Sequence, residues 1–250
     1  MEPQLRLSVT DRVATLVIDH PAKRNAMTTG MWRELPALLG RLAADSSVRA
    51  LVLTGEGDTF CAGADISSLR EEGAGTQELA VVAEEALAAF PKPTLASVKG
   101  YCVGGGCQLA TACDLRFAQE GSSFGVTPAK LGIVYPAGST RRLAELVGPS
   151  TAKYLLFSGE LVDAGRALRT GLVDEVLPAG ELDKRVAEFA RILVSRSQLT
   201  QAAAKDFAAG HLDRTEHWAR EAARERTDGD TAEGVAAFLE RRVPRFTYSV

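Results

Sequence analysis

The chain has 250 residues, 46% of them hydrophobic and 24% charged, with a net charge of −3 at neutral pH. That composition belongs to an ordinary globular protein rather than a disordered one. It also argues against general binding to nucleic acid or a membrane surface, which a basic footprint would announce, while leaving room for a local basic cluster facing a phosphorylated small molecule. The length fits one large domain, or one domain with a helical appendage. Such a chain buries roughly 70–75% of its unfolded surface without help from disulfides or a structural metal.

Cys61, Cys102, Cys107 and Cys113 contain no C-x-x-C pair and read as small buried residues. With no signal peptide in the sequence, a reducing cytoplasm is the expected location. The histidines, His20, His211 and His217, lack zinc spacing, so no metal is expected. No apolar run approaches the roughly 20 residues of a membrane span.

In chain order, Leu5–Val9 and Val13–Ile18 read as two strands joined at Asp11-Arg12. Thr28–Leu42 is predicted as a helix with Thr28 or Thr29 as its cap. Ala50–Thr54 is an apolar run of the kind buried on both faces, ended by glycines. A helix over Gln77–Phe90 precedes a buried strand at Thr94–Val98. Gly104-Gly105-Gly106 opens a short helix to about Ala112, and Asp114–Ala118 is a further strand. Strands about 45 residues apart and separated by helices imply parallel pairing through right-handed crossovers. The second half turns helical. Leu182, Val186, Phe189 and Leu193 form one apolar stripe, and helices are predicted over Gln198–Ala209, Glu216–Thr227 and Thr231–Arg241. A break near Ser195 divides an expected core, residues 1–195, from a helical region, residues 196–250.

The sequence lacks G-x-S-x-G, a Walker loop and G-x-G-x-x-G at a strand–helix junction. Two loops stand out instead: Phe60-Cys61-Ala62-Gly63-Ala64-Asp65, and Gly100 to Cys107 with its three consecutive glycines. Each follows a parallel strand and leads toward a helix, where free backbone N–H groups collect. Two such groups aimed at one point make an oxyanion hole. The same glycines equally suit tight helix–strand packing.

Pro21-Ala22-Lys23-Arg24-Asn25-Ala26-Met27, FCAGAD at 60–65, FPKPTLASVKGYCVGGGCQLATACDL at 90–115, FGVTPAKLGI at 124–133, GLVDEV at 171–176 and AFLERRVPRF at 237–246 occur in this order. Together they resemble the crotonase, or enoyl-CoA hydratase/isomerase, superfamily across nearly the whole chain. The resemblance implies an α/β spiral of ββα units with a helical C-terminal trimerisation region. It implies acyl-CoA thioester substrates, no cofactor besides the coenzyme A of the substrate, and assembly as a homotrimer or dimer of trimers. It assigns the thioester oxygen to the N–H groups of Ala64 and Gly105. It also assigns the coenzyme A contacts: Lys23 and Arg24 near the phosphates, Ala62, Asp65 and Ile66 at the adenine end, Ala26 as a further contact, and Phe238 and Arg241 reaching a neighbouring subunit's ligand.

Hydratases of this family use two glutamates, and here Gln108 and Pro128 stand at those positions. Ala64 and Pro136 occupy two further positions where relatives carry carboxylates. Each proton-transfer group contributes about 10²–10⁴-fold, so ordinary water addition is disfavoured. Thr127 to Tyr135 resembles the loop of methylmalonyl-CoA decarboxylases, with Tyr135 matching their active-site tyrosine. Gln108 is expected either to donate an amide hydrogen bond to substrate or to cap its helix. The expected activity is therefore decarboxylation of a methylmalonyl-type acyl-CoA. A hydratase or isomerase with a displaced base (Asp65, Asp114 or Glu72) and a non-catalytic acyl-CoA-binding protein are the alternatives.

Overall fold

The structure is a computed structural model and describes residues 2–67 and 74–250. It opens with an antiparallel hairpin of β1 (Gln4–Thr10) and β2 (Val13–Asp19). Asp11 and Arg12 both take positive φ, 50° and 68°, the handedness that matches strand twist in two-residue hairpins. Along β2, buried Ala14, Leu16 and Ile18 alternate with half-exposed Val13, Thr15 and Val17. Helix α1 (Thr29–Ala44) begins where Thr28 Oγ1 accepts a hydrogen bond from Met31 N at 3.3 Å. It buries Met31, Trp32, Leu35, Leu38, Leu39 and Leu42. At its far end the fully buried Lys92 donates to the carbonyls of Leu42 and Asp45 (2.9 and 2.7 Å), and burial holds its amine below the usual range.

Strand β3 (Ala50–Gly55), helix α2 (Ala74–Ala88) and strand β4 (Thr94–Val98) follow. Next come β5 (Tyr101–Val103), α3 (Gly105–Ala112), β6 (Leu115–Gln119) and β7 (Ser123–Gly125). A 3-10 turn at Pro128–Leu131 leads to the long helix α4 (Ala137–Ser158), then β8 (Val162–Asp163), α5 (Ala164–Arg169) and β9 (Glu175–Leu177). Four helices complete the chain: α6 (Leu182–Val194), α7 (Gln198–Ala208), α8 (Thr215–Asp228) and α9 (Asp230–Glu240).

The strands form two sheets, one ordered β1-β2-β3-β4-β6-β9 and the other β5-β7-β8. From β2 to β9 the larger sheet is parallel throughout. Strands β5 and β7 directly follow β4 and β6 and pair in the smaller sheet, so these two turns each supply one strand to each layer. The main core fills the space between the large sheet and α1 to α4. On the opposite face Val52, Leu95 and Phe117 meet Leu182, Val186 and Ala190 of α6. Burial from both sides is why Ala50–Thr54 carries no polar alternation.

The crossovers are less regular than the sequence suggests. Strand β4 starts 44 residues after β3, but β6 starts only 21 residues after β4, because the intervening unit holds just β5 and the eight-residue α3. Helix α4 escapes sequence reading because Gly148-Pro149 looks like a terminator. The chain bends there, Gly148 taking φ 78°, and then continues helical.

Asp114, just before β6, ties three segments together. Its Oδ2 accepts from Thr94 N (2.7 Å), Thr94 Oγ1 (2.9 Å) and Lys205 Nζ (2.9 Å), joining β4 to α7. Hydrogen bonds to a charged group contribute roughly 1.5–3 kcal/mol net. Asp114→Ala is expected to lose about that much stability in urea denaturation, with the far-ultraviolet spectrum preserved.

Candidate active site

The loop after β3 reaches back along the start of the chain and across to β5. Ala62 N donates to Arg24 O (3.0 Å), Met27 N to Gly63 O (2.8 Å) and Asp65 N to Met27 O (2.8 Å). Cys61 N donates to Tyr101 O (2.9 Å) and Val103 N to Cys61 O (3.0 Å), while Gly63 N meets Cys61 Sγ at 3.4 Å. From Cys61 to Asp65, only the N–H of Ala64 has no acceptor among the described residues.

On the facing loop Gly104 N donates to Gly125 O at 2.8 Å, and Gly104 takes φ 55°, which turns the chain into α3. Gly105 is the first residue of that helix, so its N–H has no intrahelical partner. The two free groups lie close together. A Cβ on Gly105 would stand 3.4 Å from Ala64 N, and one on Gly63 would stand 3.6 Å from Gly105 N. Gly106 serves packing instead. A Cβ there would meet Cys61 O at 2.2 Å, so only glycine lets α3 abut the first loop. Tight packing thus accounts for Gly106, while Gly105 contributes an unpartnered N–H.

Ala64 and Gly105 open on a cavity of about 410 Å³. Trp32, Ala80, Leu131 and Ile133 supply apolar wall, and Thr76, Gln77, Gln108, Thr127 and Tyr135 supply polar groups. The described lining contains no carboxylate, imidazole or amine. Pro128 opens the 3-10 turn and Pro136 precedes α4, and both line the cavity, so no side chain stands in for a glutamate at either place. Burial pushes the Tyr135 phenol well above its ordinary range, and the nearby Cys107 and Glu84 add to the effect. Tyr135 therefore remains a hydrogen-bond donor at neutral pH.

Gln108 does not cap its helix. Its Nε2 donates to Glu84 Oε2 (2.6 Å), with Ser139 Oγ 3.2 Å away on the same side, so a buried carboxylate engages the amide. Glu84 is fully buried and is also bonded by Ser139 Oγ and by Arg142. Sequence reading missed this network. Its signal was available, because Glu84 falls in the buried stripe of α2 with Ala80, Ala83 and Leu87.

The expected coenzyme A residues are placed unevenly. Ala62 and Ile66 line the cavity, and Ile66 is 66% exposed. Lys23 Nζ is paired with both oxygens of Asp65 (2.9 and 2.8 Å) and with Ser67 Oγ (2.5 Å). Although burial acts to raise the Asp65 carboxyl, these hydrogen bonds hold it below its usual range. Arg24 keeps its guanidinium exposed, 5.0 Å from the centre of the Tyr101 ring. Ala26 is buried, its carbonyl 2.8 Å from His20 Nδ1. Phe238, 83% exposed, and Arg241, at the end of α9, do not line the cavity of their own chain. Of the carboxylates considered as a displaced base, Asp65 and Asp114 are engaged away from the cavity, and Glu72 lies outside the described residues. Among the described residues no cluster of side chains could hold a metal ion, and no helix is long and apolar enough to cross a membrane.

Similar proteins agree with this architecture. The family model described as Enoyl-CoA hydratase/isomerase matches residues 9–249. The 2,3-dehydroadipyl-CoA hydratase of Escherichia coli (strain K12) is 34% identical, covering 97% of this chain and 98% of its own. The short-chain-enoyl-CoA hydratase of Clostridium acetobutylicum is 38% identical over 74% of this chain and 73% of its own. A solved enoyl-CoA hydratase/isomerase family protein from Hyphomonas neptunium superposes with a TM-score of 0.90 at 36% identity, covering 98% of this chain and 97% of that one. With a family match over almost its whole length and the same fold as a solved member, the chain belongs to the enoyl-CoA hydratase/isomerase family.

Proposed function

We propose that this enzyme binds an acyl-CoA with its thioester oxygen between the N–H groups of Ala64 and Gly105, and forms the thioester enolate there without a carboxylate base. One observation carries the reading. Two unpartnered N–H groups converge on an apolar cavity whose described lining holds no group able to take a proton near neutral pH. The enolate is an anion, so preorganised donors favour it over the neutral thioester. One such donor is typically worth about 3–4 kcal/mol of barrier.

Loss of CO2 generates the enolate from a methylmalonyl-type thioester with no proton abstraction. The electron pair of the breaking carbon–carboxylate bond becomes the enolate, which a water then protonates at the α-carbon to give the decarboxylated acyl-CoA, and the Thr76, Thr127 and Tyr135 hydroxyls of the lining are able to orient the departing carboxylate. A weakly polar wall favours its leaving as neutral CO2. A second reading, hydration or double-bond isomerisation, has the relatives on its side, since their names describe hydratases of dehydroadipyl-CoA and short-chain enoyl-CoA. It requires a base from outside the described lining. Coenzyme A would run from Ala62 and Ile66 toward exposed Arg24, with Lys23 acting chiefly as the clamp on Asp65. Exposed Phe238, Leu239 and Val243 near the C-terminus fit burial in a homotrimer or dimer of trimers, which would bring Phe238 and Arg241 toward a neighbour's ligand.

Incubation with methylmalonyl-CoA and ethylmalonyl-CoA is expected to release CO2 faster than crotonyl-CoA is hydrated. Rapid hydration with no CO2 from either thioester establishes the second reading instead, and tight binding of both without turnover indicates a binding protein. Gly105→Ala places a Cβ 2.9 Å from Trp32 and 3.4 Å from Ala64 N. It is expected to lower kcat/KM by at least about 10²-fold in a protein that still folds by far-ultraviolet circular dichroism, with a melting temperature lowered by the crowding of buried Trp32. The decarboxylation rate is expected to stay level from about pH 6 to pH 9, since no carboxylate or imidazole titrates in the cavity and Tyr135 remains protonated. A bell-shaped profile over that span contradicts a base-free reaction.

A further inference from the structure

We propose that Cys61 is a positioning residue whose sulfur, sealed in the core, keeps the N–H of Ala64 aimed at the bound thioester oxygen. The inference rests on the acyl-CoA reading above and goes beyond it, since it names what holds one of the two donors in place.

Each donor is one end of a flat peptide unit, and the carbonyl at the other end points the opposite way. Whatever holds that carbonyl therefore aims the N–H. For Gly105 the holder is its own helix, because Gly104 O accepts from Gln108 N at 3.0 Å in the first turn of α3. Ala64 lies outside any helix. The carbonyl of its peptide unit, Gly63 O, accepts from Met27 N at 2.8 Å and from Cys61 Sγ at 3.5 Å. The same sulfur accepts the N–H of Gly63 at 3.4 Å. One thiol thus ties down both peptide units that flank Gly63. Slack would enter at that residue, a glycine at φ 115° with no side chain to restrict it.

The surroundings suit the sulfur to this task. Cys61 is fully buried and does not line the cavity, so it acts only through Gly63, which does. Burial pushes its thiol up to about 12, so the proton donated to Gly63 O stays on sulfur at neutral pH. The residue itself is fixed from the facing loop. Cys61 N donates to Tyr101 O, Val103 N donates to Cys61 O, and a Cβ on Gly106 would stand 2.8 Å from that of Cys61. A thiol is a weak donor and a weak acceptor, but no water competes with it in the core. Without the sulfur, Gly63 N–H is a buried donor lacking an acceptor, Gly63 O keeps Met27 N alone, and the plane that carries Ala64 N–H is free to rock.

Infrared difference spectroscopy of bound butyryl-CoA, isotopically labelled at the thioester carbonyl, reads the aim of the donors, because hydrogen bonds to that oxygen lower its stretching frequency. Butyryl-CoA has neither a double bond to hydrate nor a carboxylate to lose. The wild-type protein is expected to lower the frequency below that of the free thioester. Cys61→Ala is expected to lose roughly half of that shift or more, with the butyryl-CoA affinity changed by less than about threefold. Cys61→Ser supplies a hydroxyl that both accepts from Gly63 N and donates to Gly63 O, and is expected to restore the shift. A full wild-type shift in folded Cys61→Ala overturns the proposal. Equal losses in the serine and alanine variants overturn it as well, because they are what a sulfur that only fills space predicts. If Cys61→Ala does not fold, Cys61→Val, with neither donor nor acceptor, takes its place with the same expected loss, and a full shift there overturns the proposal equally. Binding by the wild type with the carbonyl at its free frequency overturns the paired-donor reading and the assignment with it. Failure of butyryl-CoA to bind at all overturns the acyl-CoA reading itself.

Discussion

Contact between the start of α3 and the loop after β3 governs the rest of the molecule. At Gly106 the helix backbone lies against Cys61 O so closely that a Cβ would stand 2.2 Å from that oxygen. One residue earlier, the same closeness sets the N–H of Gly105 beside that of Ala64. Every other N–H from Cys61 to Asp65 is drawn into Arg24, Met27, Tyr101 or the Cys61 sulfur. The loop is thus over-determined except at the single group left pointing to the cavity. Preorganisation of this kind lets two neutral dipoles stabilise an anion, because they need not reorient when charge develops.

The parallel sheet explains why the two loops meet. Strands β3 and β4 are hydrogen-bonded neighbours running the same way, so the segments leaving their ends emerge side by side. Strand β5 then departs into the smaller sheet and brings its own main chain against Cys61. Apolar burial on both faces of β3 and β4 holds that register, since a shift of one residue would place Leu51 and Leu53 where Val52 packs against α6. Asp114 and Lys205 extend the anchoring into the C-terminal helices.

Polar groups around the cavity fall into two kinds. Ala64 and Gly105 offer unpartnered main-chain N–H groups and Thr76, Thr127 and Tyr135 offer hydroxyls, while the amide nitrogens of Gln108 and Gln77 donate to Glu84 and to Val134 O. The carboxylate nearest this wall, Glu84, is enclosed by three donors and takes no part in the lining. The family's glutamate pair is therefore not simply relocated within the described lining. A buried acid instead accepts from the Gln108 amide, and the unpartnered N–H groups of Ala64 and Gly105 remain. Relatives named as hydratases share the spiral and a third of the residues. They do not thereby share the proton-transfer groups, because a fold supports several reactions through the side chains grafted upon it.

Much of this was legible in the linear chain. Periodicity located the hairpin, α1, β3, β4 and the C-terminal helices, since each reflects a local rule: strand alternation, a threonine cap, a glycine or proline boundary. The motif order identified the family, and the absence of glutamate at Gln108 and Pro128 followed from residue identity alone. The free state of Ala64 N and Gly105 N did not, because a lone N–H is defined by where all the neighbouring ones are satisfied. Lys23 reads as a free cation in sequence, but folding brings Asp65 within 2.9 Å of it, 42 residues away. The orientation of Gln108 depends on Glu84 and Ser139, 24 and 31 residues distant, and no spacing rule connects them. Amino-acid order determined which groups could do chemistry. Packing of α2, α3 and α4 decided which of those groups are paired with one another, because hydrogen-bond direction belongs to three-dimensional neighbours.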